Sequence, residues 1–211
     1  MLKNQRNLLI LNGNLRKMTT SQLIEELKRI TQSNIDLVNQ KFSALNEQQK
    51  NWRKDLDSWS INDVFSHLNE FSSYYHTAFS AKIERTRFRE PKEVFISSPL
   101  GRSAWKSMKL GNAQNIKRKF KSPRSYNPTF NPSLVSTDSI SKFEKNQQEL
   151  VQIIDLAATI NLRKAKIAIS ISKIVRLKFG DALLFVVYHN ERHLQQALNI
   201  LNHRNFPLTN A

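Results

Sequence analysis

Three observations predict an all-α chain, a four-helix bundle with one long crossover connection. Apolar residues recur at helical spacing in four separate segments. Only four glycines and six prolines punctuate 211 residues, so long helices are expected. All but one of the prolines fall in a single stretch, residues 85–136, which reads as the crossover.

The first helix is signalled by "TTSQLIEELKRI", with Thr20 or Ser21 as its N-cap and Leu23, Leu27, Ile30, Val38, Phe42 and Leu45 near helical spacing. A polar connector, "NEQQKNWRKDLDS", follows. The second helix opens at "WSINDVFSHLNEF" and is expected to run to about Lys82. Ser60 is its natural N-cap, Asp63 sits where a carboxylate meets free backbone amides, and Trp59 is placed to staple against Val64. Within 85–136 a short helix is expected near Ala104–Leu110, beside a basic run, "KRKFKSPR". The third helix is expected from Thr137 or Ser139, with Ile140, Phe143, Leu150, Val151 and Ile154 on its apolar face. The mixed stretch "NLRKAKIAISISKIVRLKFG" has room for short extended pieces. The fourth helix is expected from about Asp181 to Asn202. A single domain over 19–205 results, with a flexible N-terminal extension (1–18) and a C-terminal tail (206–211).

The composition excludes several chemistries. There is no cysteine, so disulfides, zinc ribbons and thiol nucleophiles are ruled out, and metal ligands must be His, Asp or Glu. No window approaches a membrane span, and "NLLIL" is too short for a signal-peptide core, so a cytoplasmic protein is expected. The net charge is +16. Such an excess attracts anionic partners. It is spread, however, without the interleaved aromatics of an RNA-binding motif, which weighs against nucleic acid.

The chemistry concentrates in five histidines: His67, His76, His189, His193 and His203. At about 100° per residue, His189 and His193 lie roughly 40° apart on one apolar face of the fourth helix. A zinc-protease helix needs the glutamate directly after its first histidine. Asn190 stands there, and Glu191 points to the other side. Two imidazoles on one core-facing stripe are expensive unless satisfied, and one cation satisfies both. His67, within the stripe of Val64, Leu68, Phe71 and Tyr74, is the natural third ligand. His76 is on the opposite side of its helix, facing solvent or a neighbour. His203 is expected on the last turn of the fourth helix.

"WSINDVFSHLNEF" (59–71) and "FGDALLFVVYHNERHLQQA" (179–197) resemble the two signatures of the DinB-like (DinB/YfiT) superfamily, and "KSPRSYNP" resembles a recurrent feature of one branch. The resemblance covers about residues 20–205. It implies a metal-binding four-helix bundle in which His67, His189 and His193 hold a divalent ion, zinc or nickel, with Arg192 and Gln196 at the flanking positions. Asp63 and Tyr74 join these as candidates beside the metal or substrate. Members are often homodimers and include thiol-dependent S-transferases and a maleylpyruvate isomerase. The crossover of this chain is longer and more basic than in compact members.

The leading expectation is therefore a metal-dependent transferase using a low-molecular-weight thiol cosubstrate, since the chain supplies none. The alternative is a non-catalytic metal-binding module in which dimer contacts matter more, with "ALLFVV", apolar nearly all round its helix, either central or at a subunit interface. A third reading makes "KRKFKSPR" a nucleic-acid contact.

Overall fold

The computed structural model describes residues 18–111, 113, 115–116, 120 and 122–207. The expected extension before Met18, the tail from 208, and Lys117, Arg118, Lys119 and Lys121 of the basic run lie outside the described residues.

The chain is mainly helical, with six α-helices among the described residues and two small antiparallel sheets. The chain is thus mainly α, with the two small sheets added to the helices. One pairs β1 (Met18–Thr19) with β2 (Val94–Phe95); the other pairs β3 (Lys166–Ile169) with β4 (Ser172–Lys178), with an irregularity at Ala168 and Ile169. The "KIAISISKIV" alternation is thus a hairpin laid over the helices.

Helix α1 spans Thr20–Lys41, and its cap is Thr19 rather than Thr20 or Ser21. Pairing with β2 holds Thr19 extended, and Gln22 completes the exchange: the Gln22 N–H donates to Thr19 Oγ1 (3.1 Å) and the Thr19 N–H to Gln22 Oε1 (3.0 Å). The polar connector holds a one-turn helix, α2 (Glu47–Asn51), capped by Asn46. Helix α3 (Ile61–Arg85) is capped by Ser60 as expected and runs one turn past Lys82. The crossover carries α4 (Pro99–Met108), capped by Ser98 with Pro99 in the first turn, and two 3-10 turns at Arg124–Tyr126 and Pro132–Leu134. Helix α5 spans Ser139–Ala157 and α6 spans Phe179–Leu201.

Both α1 and α3 pack on α5 and on α6, and α4 lies along α6. Two apolar clusters fill the interior. One gathers Leu23 to Ile30 with Phe71, Tyr75, Leu150, Ile154 and the first half of α6; the other gathers Val38, Phe42, Val64, Phe65, Leu68, Phe143, Leu194 and Ala197. Between them each long helix contributes buried polar residues: Thr31 and Asn34 on α1, His67 and Asn69 on α3, Gln147 on α5, His189, Asn190 and Arg192 on α6. The histidines belong to this layer. "ALLFVV" packs centrally: Ala182, Leu183, Leu184, Val186 and Val187 are all covered within the single chain. No helix among the described residues is long and apolar enough to cross a membrane.

Candidate metal centre

His67 enters the centre from the second turn of α3, whose start is fixed by a tight cap. Asp63 Oδ2 accepts the Ser60 N–H (2.7 Å) and the Ser60 hydroxyl (2.8 Å), and pairs with Arg53 at 2.7 Å. His189 and His193 enter from the middle of α6, one turn apart. The three rings offer one ligand atom each, all within 4.8 Å of one another. His67 Nε2 and His189 Nε2 are 3.4 Å apart. Two nitrogens about 2.1 Å from one tetrahedral ion stand roughly 3.4 Å from each other, so this pair has ligand spacing.

The far side of each ring is also specified. His67 Nδ1 faces the Tyr126 carbonyl at 2.7 Å. A carbonyl only accepts, so Nδ1 carries the proton and Nε2 keeps its lone pair for the centre. His193 Nδ1 faces Gln196 Oε1 at 2.9 Å, which leaves its Nε2 free in the same way. His189 Nδ1 meets no hydrogen-bond partner; its ring is held by stacking on Phe71, with centroids 3.8 Å apart and planes 16° apart. Trp59 closes the remaining side, 5.1 Å from the His67 ring and 6.1 Å from that of His193.

All three imidazoles are held neutral, the form that binds metals. Burial lowers the pKa of His67 to about 4, against a smaller upward pull from the Tyr126 carbonyl. Burial likewise lowers His189 and His193 well below the ordinary value, with the neighbouring imidazoles and Arg192 adding to the effect. Three uncharged nitrogen donors and no thiolate form a set that could hold a divalent transition-metal ion. His193 is the most accessible of the three.

Of the other sequence candidates, Gln196 is at the centre, though on a ligand rather than on water or substrate. Arg192 is buried, its guanidinium 5.2 Å over the Phe120 ring and close enough to depress both α6 histidines. Asp63 and Tyr74 are not brought there. Asp63 is spent on the α3 cap, and the Tyr74 hydroxyl donates to the carbonyls of Ala168 and Ile169 in the hairpin (3.3 Å each). Trp59 packs over the imidazoles instead of serving only as a staple for Val64. His76 turns to a neighbour, bonding Glu149 of α5 at 2.9 Å. His203 lies beyond the end of α6, tilted against Trp52 with ring centroids 5.2 Å apart. Glu191 points away from the triad as its spacing requires, toward the charges of Lys109 and Arg29.

Sequence reasoning missed the Tyr126 carbonyl and the Phe71 stacking partner. The first is a backbone atom delivered by the crossover, which no residue pattern specifies. The second was visible only as one member of an apolar stripe. Comparison with protein-family models, curated proteins and solved structures finds no match to the chain.

Proposed function

We propose that the chain is a DinB-like four-helix bundle whose His67, His189 and His193 hold a divalent ion, zinc or nickel, and that it acts as a metal-dependent transferase on a small thiol. The observation that carries this reading is the double orientation of the triad: spacing on the inner nitrogens, and proton acceptors on the outer nitrogens of His67 and His193. An ion held there supplies Lewis acidity, lowering the pKa of a thiol or water at neutral pH. The chain's own groups do the rest. Tyr126 and Gln196 fix the imidazole tautomers, Trp59 and Phe71 exclude water from the inner faces, and Arg192 brings positive charge to the α6 side, which favours an anionic thiol.

The test is metal analysis of untagged protein with a thiol-conjugation assay. One equivalent of divalent ion is expected, lost in His193→Ala, with thiol turnover abolished by chelation and restored by the metal. Protein that binds no divalent ion sinks the reading. Full metal loading without thiol turnover moves it to the non-catalytic metal-binding module, whose expected homodimer is checked by mass in solution.

A further inference from the structure

A second candidate site lies away from the histidines, where the loop after α3, the turn between α5 and β3, and the end of β4 meet. A cavity of about 290 Å³ opens there, lined by Lys92, Asn161, Arg163, Lys164 and Lys178. Four of the five are cations, and none is a carboxylate. Phe179 starts α6 immediately after Lys178, and His189 is ten residues further on, about 15 Å along the axis.

Little in the fold neutralises this charge. Lys92 Nζ is 4.0 Å from Glu90, and among the described residues no acidic side chain pairs with Arg163, Lys164 or Lys178. Lys178 donates to the Ile96 carbonyl at 2.7 Å, and Lys164 lies 5.7 Å from the centroid of the Phe88 ring. Both contacts position an ammonium without cancelling it. Asn161 adds an independent sign. It is only 4 % exposed, and its Oδ1 accepts the N–H groups of Arg163 (3.1 Å) and Lys164 (3.2 Å), which fixes the turn. Its amide nitrogen takes no part in those two bonds, and Asn161 lines the cavity.

We propose that this cavity binds a small polyphosphate anion, of the class of inorganic pyrophosphate or the di- or triphosphate end of a larger molecule. Cations brought together around a concave space repel one another, and an anion of several charges relieves all of them at once. An arginine fork and an amide donor fit phosphoryl oxygens, which accept without donating. The donors come from separate segments and surround a pocket, whereas an extended nucleic-acid backbone calls for a groove.

Calorimetric titration of the full, metal-free chain with inorganic pyrophosphate at low ionic strength tests this. One-to-one binding is expected, weakening as salt rises. Arg163→Gln and Lys164→Gln, both exposed, should each weaken it about tenfold or more, the effect of losing one charge-assisted hydrogen bond. Asn161→Asp keeps the Oδ1 that holds the turn and exchanges the donor for a negative charge, so it should abolish binding. Lys142→Gln removes the same charge elsewhere and should change nothing. Absence of binding, equal loss in Lys142→Gln, or loss in His193→Ala with retention in Arg163→Gln overturns the proposal.

Discussion

At His67 and His193 the decisive hydrogen bond is on a nitrogen that does not face the centre. Gln196 is the cleaner of the two partners to test, because it is a half-buried side chain and Tyr126 offers only its backbone. Gln196→Leu removes the acceptor and lets His193 adopt either tautomer. Metal affinity, read by competition with a chromophoric chelator, should fall about tenfold or more, while Gln196→Glu retains it. Equal affinity in all three proteins would show that Gln196 orients nothing. The same imidazoles set a pH dependence in metal-free protein. In the unfolded chain each titrates near 6.5, whereas folding lowers His67 to about 4 and the other two well below 6.5. The unfolded state therefore takes up protons first as the pH falls. Stability should be full above about pH 6.5 and decline toward pH 4, His67 alone accounting for something on the order of 3 kcal/mol. Urea midpoints measured from pH 7.5 to 4.5 check this, and His67→Gln should flatten the decline.

The elements show how a short helix is locked to a long one. Helix α4 meets the start of α6 through Asp181, whose buried carboxylate accepts the Ser97 hydroxyl, the Ser98 N–H (2.9 Å) and the Ser98 hydroxyl (2.8 Å). Gly101 lies directly against that carboxylate, and an added Cβ would collide with it. Gly101→Ala should thus cost about 1–3 kcal/mol by overpacking, despite the better helix propensity of alanine, and should appear as a lowered Tm. An unchanged Tm would mean that α4 shifts freely on α6. The four long helices were legible in the sequence because Leu23, Leu27, Ile30, or Phe143, Leu150, Ile154, repeat with the helical period. The Ser60 and Asp63 cap was legible because both residues are needed and both are present. Helix α2 was not legible, since "EQQKN" has no apolar face. The Thr19 cap was not legible either, because it depends on pairing with Val94, more than 70 residues away. The triad could be read because each histidine interrupts an apolar stripe. Trp59 over the imidazoles, and the Tyr126 carbonyl behind His67, follow from tertiary placement alone.

Across the whole molecule the polar layer is where the two apolar clusters are joined, and there folding depends on satisfied polar groups rather than on buried hydrocarbon. Asn34 Nδ2, Gln147 Nε2, Asn190 Oδ1 and His189 Nδ1 are buried in or beside this layer without a protein partner. Each carries a desolvation penalty. A divalent ion bound by the triad would link α3 to α6 across the layer and draw three neutral imidazoles into one shared interaction. Binding to the folded chain alone stabilises it by about 2.7 kcal/mol at free metal 100-fold above Kd. For a chain of this size that corresponds to a rise in Tm of roughly 5–10 °C. Thermal unfolding with zinc or nickel, after chelation, and after metal is restored should show this shift. His67→Gln should show much less of it, because two imidazoles hold the ion more weakly than three and the same free metal then lies closer to Kd. If chelation leaves the wild-type Tm unchanged while the protein still binds one equivalent of metal, the unfolded chain holds the ion as tightly as the folded one, and the triad is not a site that folding assembles.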